Sequence, residues 1–310
     1  MDRRIKFRHL EVFAAVARSA SLKRAAEQLN LTQPAVSKTL KELEDIVGHS
    51  LAERSRAGVR LTAQGDIFLT YTEQSIAAVK HGLRSLQDTS VSGGRLRIGA
   101  LPSVASSLLP EAIQAFARDN PDTLVEVFEG PHDDLRNRLR NGGLDMVIGR
   151  LPRPETMDGL VFQQLYTEDV AVVARPDSPA VGLTAFQDLE AFRVIYPPKD
   201  TAIRPLVARM LISAGVPLYS NRIETASAAV GRALLLADTG TVWIISEGVV
   251  AHDLQDGTVA RLHLDTRMTS GAVGIITRAD DVKAPPAQSL IRLLMAQVEK
   301  TRPRRGQSSA

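Results

Sequence analysis

Four polar side chains near the start of the chain recur at the spacing of one helix face. Gln33, Ser37 and Lys41 are four residues apart, and Lys38 lies beside them. In a helix of about 3.6 residues per turn, such side chains project from the same side into solvent. Glutamine can form two hydrogen bonds with adenine, lysine can reach guanine or a phosphate, and serine suits either. Their types and spacing therefore indicate a surface that reads the edges of DNA bases.

The neighbouring residues predict a helix, a tight turn and a second helix that carries this face. Ser21 is a favourable N-cap for a helix over residues 22–29, and Thr32 is one for the next helix. Pro34 fits the first turn of that helix, and Gly48 fits its end. A helix-turn-helix inserts its second helix into the major groove with the N-terminus first. A three-helix bundle with a solvated charged face would show the same periodicity, so periodicity alone leaves both interpretations open.

The segment SLAERSRAGVRLT predicts a β-hairpin wing after the second helix. Two short strands would flank Arg56, Ala57 and Gly58. Arg54, Arg56 and Arg60 would then be available to phosphates or to the minor groove.

Charge and composition restrict the class of protein. Residues 1–60 contain twelve Lys and Arg against seven Asp and Glu, whereas the net charge of all 310 residues is only +3. A polyanionic partner is therefore expected for the first part alone, and the length predicts two or three domains. Because cysteine is absent, disulfides, thiolate nucleophiles and Cys-ligated zinc are excluded, and we expect no metal and no cofactor. We find no signal peptide and no apolar segment of membrane length, and therefore expect a cytoplasmic protein without membrane contact.

The N-terminal sequence resembles the DNA-binding domain of LysR-type transcriptional regulators. The similarity runs from Phe13 to Gly65 and includes the Gln-Pro-Ala-Val-Ser segment and the R-LT-QG exit. It implies a winged helix-turn-helix in residues 1–62. Ala52 replaces the aromatic residue usual in the family, which we expect to loosen the packing of the wing. The resemblance places Gln33, Pro34, Ser37 and Lys38 in the major groove and the wing arginine in the minor groove. Together with the residues that the pattern itself indicates, the predicted DNA-binding residues are Thr32, Gln33, Pro34, Ser37, Lys38, Lys41, Arg54 and Arg56.

Residues 63–92 predict a linker and dimerisation helix. Its apolar residues are separated by steps of three and four, which is the spacing of a coiled-coil seam. A helix packed on its own domain would show a similar stripe, but the family resemblance favours a homodimer or homotetramer. The stripe consists of Leu69, Thr72, Ile76, Val79, Leu83 and Leu86.

Strand-like and helix-like segments alternate through residues 93–310, which predicts a parallel α/β sheet. A late strand at residues 271–279 would return to the first part of the series. The order resembles the effector-binding domain of the same family, which is like a type 2 periplasmic solute-binding protein with two lobes around a cleft. We expect lobe I to comprise about residues 93–165 and 267–300, and lobe II about residues 166–266.

Polar residues at strand and helix ends are candidate ligands for a small carboxylate in that cleft. Open α/β folds bind ligands at the carboxyl ends of strands, against helix N-termini. An arginine can clamp a carboxylate with two hydrogen bonds. A helix cap is the alternative role for Ser103, and surface charge is the alternative for Arg150 and Arg204. The predicted effector-binding residues are Ser103, Val104, Glu129, Arg150, Thr201, Arg204, Thr225 and Ser246.

Short segments of the second half resemble activators of protocatechuate breakdown genes, which sense a carboxylated muconate. These segments read IGRL, AIRP, IET and WIISEGVV. The resemblance implies a transcription regulator of aromatic-acid catabolism whose partners are double-stranded DNA, a small carboxylate effector, further copies of the chain and RNA polymerase. The alternatives are an enzyme or a solute-binding protein that uses the same cleft. We find no hydrolase, phosphate-loop or metalloprotease motif, and therefore no catalytic residue is predicted.

Overall fold

The computed structural model of the chain describes residues 4–55, 58–87, 94–279 and 283–301. These residues divide into an N-terminal unit that ends with a long helix and an α/β unit that contains two five-stranded sheets. Each unit has a hydrophobic core of its own.

The N-terminal unit consists of three helices, a two-stranded hairpin and a long helix. Its elements are α1 (Phe7–Ser19), α2 (Leu22–Leu29), α3 (Gln33–Val47), β1 (Ala52–Ser55), β2 (Gly58–Leu61) and α4 (Ala63–Gln87). The helices bury aliphatic side chains around Phe13, and Leu51 and Val59 close the core from the hairpin side. β1 and β2 pair antiparallel as predicted. Ala52 is partly buried against this core.

Local caps set the boundaries of α2 and α3. The hydroxyl of Ser21 accepts a hydrogen bond from the backbone N–H of Arg24 at 3.3 Å, and that of Thr32 accepts from Ala35 at 3.4 Å. Gly48 follows α3 with φ of 72°, a conformation that glycine adopts without steric cost. The predicted turn and helix ends are therefore confirmed.

The apolar stripe of α4 divides into a buried half and an exposed half. Val79 and Leu83 are 45% and 57% exposed, and the side chain of Leu86 lies outside the described part of the chain. One half of the predicted seam therefore faces the protein interior, and the other half faces solvent. The packed or buried members are Leu69, Thr72 and Ile76.

The first lobe of the α/β unit is a five-stranded sheet covered by helices. It contains β3 (Arg95–Ala100), α5 (Pro102–Ala105), α6 (Leu108–Asp119), β4 (Leu124–Glu129), α7 (His132–Arg140), β5 (Met146–Arg150), β6 (Leu160–Glu168), β12 (Gly271–Arg278) and α11 (Pro285–Thr301). The strand order is β4-β3-β5-β12-β6, so the late strand β12 does return to this sheet. β3 is parallel to β4 and β5, whereas β12 is antiparallel to its two neighbours.

The second lobe repeats this design with a sheet of order β11-β7-β10-β8-β9. It contains β7 (Val170–Ala174), β8 (Arg193–Tyr196), α8 (Arg204–Ser213), β9 (Arg222–Glu224), α9 (Ala228–Ala237), β10 (Thr241–Ser246), α10 (Ala251–Gln255) and β11 (Ala260–Arg261). Trp243 of β10 is 1% exposed. A Cβ atom at Gly231 of α9 would lie 2.4 Å from its ring, so glycine permits the close packing of α9 on this sheet.

The two sheets are mixed, which differs from the predicted parallel arrangement. β12 returns from the other lobe and therefore enters the first sheet in the opposite direction to β5. Strand β6 was not predicted, because it is an edge strand whose exposed Gln163 and Gln164 interrupt the apolar alternation. β6 pairs with β12 from Leu160 to Glu168. The change from the first sheet to the second thus occurs at Asp169 rather than at residues 165–166.

Candidate functional site

A cavity of about 370 Å³ lies between the two lobes of the α/β unit. Residues at the carboxyl ends of β3, β4, β5, β8, β9 and β10, or directly after them, line it. Ligands of open α/β folds bind at this edge of the sheets. The structure brings six predicted effector residues together here, from both lobes, and these are Ser103, Glu129, Arg150, Thr201, Thr225 and Ser246.

Three helices of nine or ten residues begin at the cavity. His132 is the first residue of α7, Ile203 is the N-cap of α8 and Ser227 is the N-cap of α9, and all three line the cavity. The first N–H groups of a helix have no partner within the helix and carry partial positive charge. Their convergence creates an environment that favours an anion.

Arg150 is the one arginine or lysine among the described residues that line the cavity. It is 4% exposed, and its guanidinium donates to the backbone carbonyls of Thr269 at 3.2 Å and Glu168 at 2.9 Å. The carboxylate of Glu168 lies 3.6 Å from Nη2. Burial lowers the pKa of Arg150, and the charge of Glu168 counteracts this effect. Two backbone carbonyls and the carboxylate of Glu168 therefore already contact part of the guanidinium.

Two serine hydroxyls are the available hydrogen-bonding groups of the cavity wall. Ser103 and Ser246 are 4% and 6% exposed, and neither hydroxyl bonds to another described residue. The hydroxyls of Thr201 and Thr225, by contrast, bond to nearby backbone groups. Since neither hydroxyl oxygen belongs to the fully buried unpartnered atoms, both are accessible from the cavity and can bind a polar ligand.

Two further predicted effector residues are placed outside the cavity wall. Val104 is fully buried in the core of the first lobe. Arg204 donates to the carbonyl of Pro197 at 2.7 Å, pairs with Glu224 at 3.3 Å and covers the ring of Tyr196. Its guanidinium therefore finds partners within its own lobe.

The cavity also contains residues that were not predicted from the sequence, notably His132, Asp200 and Ser227. The ring Nε2 of His132 lies 3.0 Å from the carbonyl oxygen of Arg150, so this nitrogen carries the proton and donates. Burial is the main cause that lowers the pKa of His132, and the bond to Arg150 counteracts it. The position of His132 three residues after the end of β4, at the start of a helix, was the available sequence signal.

The lowered pKa of His132 predicts a pH-dependent contribution to stability. The unfolded chain takes up this proton near the ordinary value of 6.5, whereas the folded chain takes it up only at lower pH. The unfolded state therefore binds more protons below that value, and stability falls as the pH decreases. Thermal unfolding of wild type and His132→Gln between about pH 7.5 and 5.5 checks this, because the acid-induced loss should be smaller in the variant. Equal losses in the two proteins would contradict the assignment.

The predicted DNA-facing residues occupy one side of α3 at its N-terminal half. Ser37 is half-buried, and the hydroxyl of Thr32 is engaged as the helix cap. The side chain of Arg54 and the whole of Arg56 lie outside the described part of the chain. The exposed residues on this side are Thr32, Gln33, Pro34, Lys38 and Lys41.

Lys38 is 79% exposed and has an acidic neighbour one turn later. Its ammonium lies 4.0 Å from the carboxylate of Glu42, which also contacts Arg8 at 3.4 Å. Exposed pairs of this kind contribute at most about 1 kcal/mol. Lys38 can therefore exchange this carboxylate for a DNA phosphate.

Comparison with known proteins identifies the family. Residues 7–66 match the family described as "Bacterial regulatory helix-turn-helix protein, lysR family", and residues 90–299 match the "LysR substrate binding domain". The chain belongs to the LysR family of transcriptional regulators. It is thus a DNA-binding regulator with an effector-binding domain, and the enzyme alternative is not supported, since the matching families and relatives are regulators.

Individual LysR-family proteins are similar over nearly the whole chain. The HTH-type transcriptional regulator PcaQ of Agrobacterium fabrum is 41% identical over 297 residues, which cover 95% of each protein. DarR of Vibrio fischeri, solved in complex with DNA, has a TM-score of 0.55 at 20% identity and covers 94% of this chain and 98% of its own. Full-length CbnR complexed with its target DNA has a TM-score of 0.50 at 25% identity, over 95% of this chain and 100% of that one.

Among the described residues, no helix combines the length and the apolar composition of a membrane span. They also contain no group of three or more His, Cys, Asp or Glu side chains placed to hold a metal ion.

Proposed function

We propose that this LysR-family protein is a regulator whose interlobe cavity binds a small carboxylate and thereby changes how the protein engages its operator. The observation that carries the proposal is the convergence of the N-termini of α7, α8 and α9 on a cavity that also contains Arg150. The positive helix ends and the guanidinium stabilise negative charge. A volume of about 370 Å³ suits one small organic acid.

Polar groups in the cavity supply the contacts for such an acid. Ser103 and Ser246 would donate their hydroxyls from opposite lobes, and Arg150 would direct an unused N–H of Nη1 or Nη2 toward the same carboxylate. Because these residues belong to both lobes, a ligand that contacts them favours one relative placement of the lobes. Binding can then shift the population of conformations that the protein presents to DNA.

The DNA-facing surface in this proposal is the exposed side of α3. Gln33, Ser37, Lys38 and Lys41 would face the major groove, and the predicted wing arginines Arg54 and Arg56 would serve the minor groove. The N-terminal half of a recognition helix is the part that reaches base edges.

Further copies of the chain are the proposed structural partner. The exposed Val79 and Leu83 of α4, together with Tyr71 at 63% exposure, leave apolar surface that a second copy would cover. Such a homodimer, or a homotetramer built from two, would bind half-sites related by its symmetry. RNA polymerase is the further partner that a regulator of transcription would meet at the promoter.

Aromatic-acid catabolism is the proposed biological context. The similarity to PcaQ at 41% identity over nearly the whole chain supports it, together with the resemblance to regulators of protocatechuate breakdown.

The test of the proposed function is a gel shift at fixed salt on DNA directly upstream of the protein's own gene, with protocatechuate and carboxylated muconates added in turn. We expect a discrete complex that one of these carboxylates alters. Binding only at low salt, without a specific complex, would contradict the proposal.

Replacement of Ser103 should separate effector binding from DNA binding. Ser103→Ala removes one hydrogen bond to the carboxylate, so we expect effector affinity to fall about tenfold while operator affinity is unchanged. The fluorescence of Trp243, the only tryptophan, reports binding, because its ring packs on α9, the helix that begins at the cavity. Ser106→Ala is the matched control, since Ser106 lies in the same segment but not in the cavity wall. Equal affinities in the two variants would exclude Ser103 as a ligand.

A further inference from the structure

A buried ion pair lies directly behind the cavity. The side chain of Arg150, which lines the cavity, is 5% exposed, and that of Glu168 is fully buried. Their charged groups are 3.6 Å apart. Glu168 is absent from the cavity wall, so its carboxylate contacts Arg150 from outside the cavity.

This ion pair occupies the place where the chain passes between the lobes. Glu168 is the last residue of β6 in the first lobe, and its Oε1 accepts a hydrogen bond of 3.1 Å from the backbone N–H of Gly248 in the second lobe. A Cβ atom at Gly248 would lie 2.5 Å from that oxygen and 2.6 Å from the carbonyl oxygen of Ser103. Glu168 therefore connects the arginine of the cavity with a close contact between the lobes.

The guanidinium of Arg150 retains N–H donors that the protein does not use. Nη1 and Nη2 donate to the carbonyls of Thr269 and Glu168, and each has a second N–H without a partner among the described residues. Nε also has no partner there, but it is fully buried. Arginine has five N–H donors in a planar fork, and a carboxylate can accept two of them at once. A ligand carboxylate in the cavity would therefore meet a cation that is already neutralised by Glu168 but is not saturated with hydrogen bonds.

We propose that Glu168 is an internal counter-charge that competes with the effector carboxylate for Arg150. The competition lowers the affinity for the effector. It also means that a bound effector weakens the ion pair between Arg150 and Glu168. When the effector carboxylate binds Arg150, its negative charge reduces the net attraction that holds Glu168 to the guanidinium. The hydrogen bond from the N–H of Gly248 to Glu168 remains. Binding of the effector thus changes the forces at the contact between the lobes. This inference rests on the proposed function, because it assumes that a carboxylate binds in the cavity.

The test measures the affinity of the full-length Glu168→Gln variant for the effector. Glutamine keeps an oxygen that can accept from Gly248 but removes the competing charge. We expect the dissociation constant for protocatechuate or a carboxylated muconate, measured by Trp243 fluorescence, to decrease about tenfold. We also expect the gel-shift response at saturating ligand to be smaller than in wild type. Glu247→Gln is the matched control, because Glu247 pairs with Arg261 in the neighbouring segment and not with Arg150.

The outcomes separate this inference from the function on which it rests. If wild type binds none of the probes, the proposed function fails and this inference fails with it. If wild type binds a probe but Glu168→Gln binds it with unchanged or lower affinity, the counter-charge role is overturned and the effector site stands.

A second variant keeps the inference testable if the single variant does not fold, since Glu168→Gln leaves the charge of Arg150 unpaired. Arg150→Met combined with Glu168→Gln buries no charge, and it should fold and lose carboxylate binding. If the double variant binds the carboxylate as tightly as wild type does, Arg150 is not the group for which Glu168 and the effector compete, and the inference is overturned.

Discussion

Replacing Gln33 by alanine is expected to weaken specific operator binding by about fivefold to more than a hundredfold, or about 1–3 kcal/mol. Gln33 is the first residue of α3 and is exposed, so the variant should fold as wild type does. The loss arises because a glutamine that bonds a base edge with both its oxygen and its nitrogen cannot be replaced by a methyl group. Gel shifts on the operator and on an unrelated duplex measure the specific part of the loss.

Lys38→Ala tests the electrostatic part of the same surface. If Lys38 contacts a phosphate, the variant should weaken binding to all duplexes alike and reduce the slope of log affinity against log salt by about one. A base contact would instead reduce binding to the operator alone.

A matched control for both variants is Gln28→Ala. Gln28 is exposed on α2, the helix that precedes the proposed recognition helix, and we expect its loss to leave base-specific binding unchanged. If Gln33→Ala and Lys38→Ala bind the operator as wild type does, the assignment of this surface to DNA is wrong.

Gly65→Ala is expected to destabilise the N-terminal unit by about 2–3 kcal/mol. A Cβ atom at Gly65 would lie 2.0 Å from the backbone oxygen of Leu51, and a backbone atom cannot move away as a side chain can. Gly65 is buried at the start of α4, and its N–H bonds to the hydroxyl of Thr62. The added methyl group would therefore separate α4 from the segment that leads into the hairpin. Thermal unfolding followed by circular dichroism, together with operator binding at rising temperature, measures the effect.

Gly82→Ala in the same helix is the matched control, with the opposite expected sign. Nothing lies within 4 Å of a Cβ atom there. Alanine is favoured over glycine in a helix interior by about 1 kcal/mol, so this variant should be slightly stabilised. A similar loss of stability in both variants would show that α4 tolerates no alanine for reasons other than the contact with Leu51.

The N-terminal unit was predictable because its signals are local. The N-caps Ser21 and Thr32, the proline in the first turn of α3 and the glycine after it act within a few residues of one another. Helix ends of this kind form wherever the sequence occurs, so no knowledge of distant contacts was needed.

The α/β unit was less predictable because its strands pair over long separations. β12 inserts between β5 and β6 although more than a hundred residues separate it from both of them. Periodicity detected β12 as a strand but carried no information about its direction. The polar edge strand β6 lacked clear periodicity and was missed.

The candidate site also has a part that local sequence predicts and a part that depends on distant contacts. The rule that ligands bind beyond the carboxyl ends of strands is local, and it led to Ser103, Arg150 and Ser246 from the sequence. The partner of each side chain is not local, since Arg204 has Glu224 and Tyr196 within its own lobe, and Val104 faces a core.

By itself the sequence was sufficient for the family, for helix α3 and its caps and for the order of most α/β elements, because these depend on residue type and short spacing. Only the tertiary structure decided which polar groups share one cavity, that His132 belongs to it, and that Glu168 forms an ion pair with Arg150. These facts depend on which strands become neighbours and on the close approach of backbone at Gly248. Such contacts are set by the packing of the whole lobe, and no short stretch of the chain contains them.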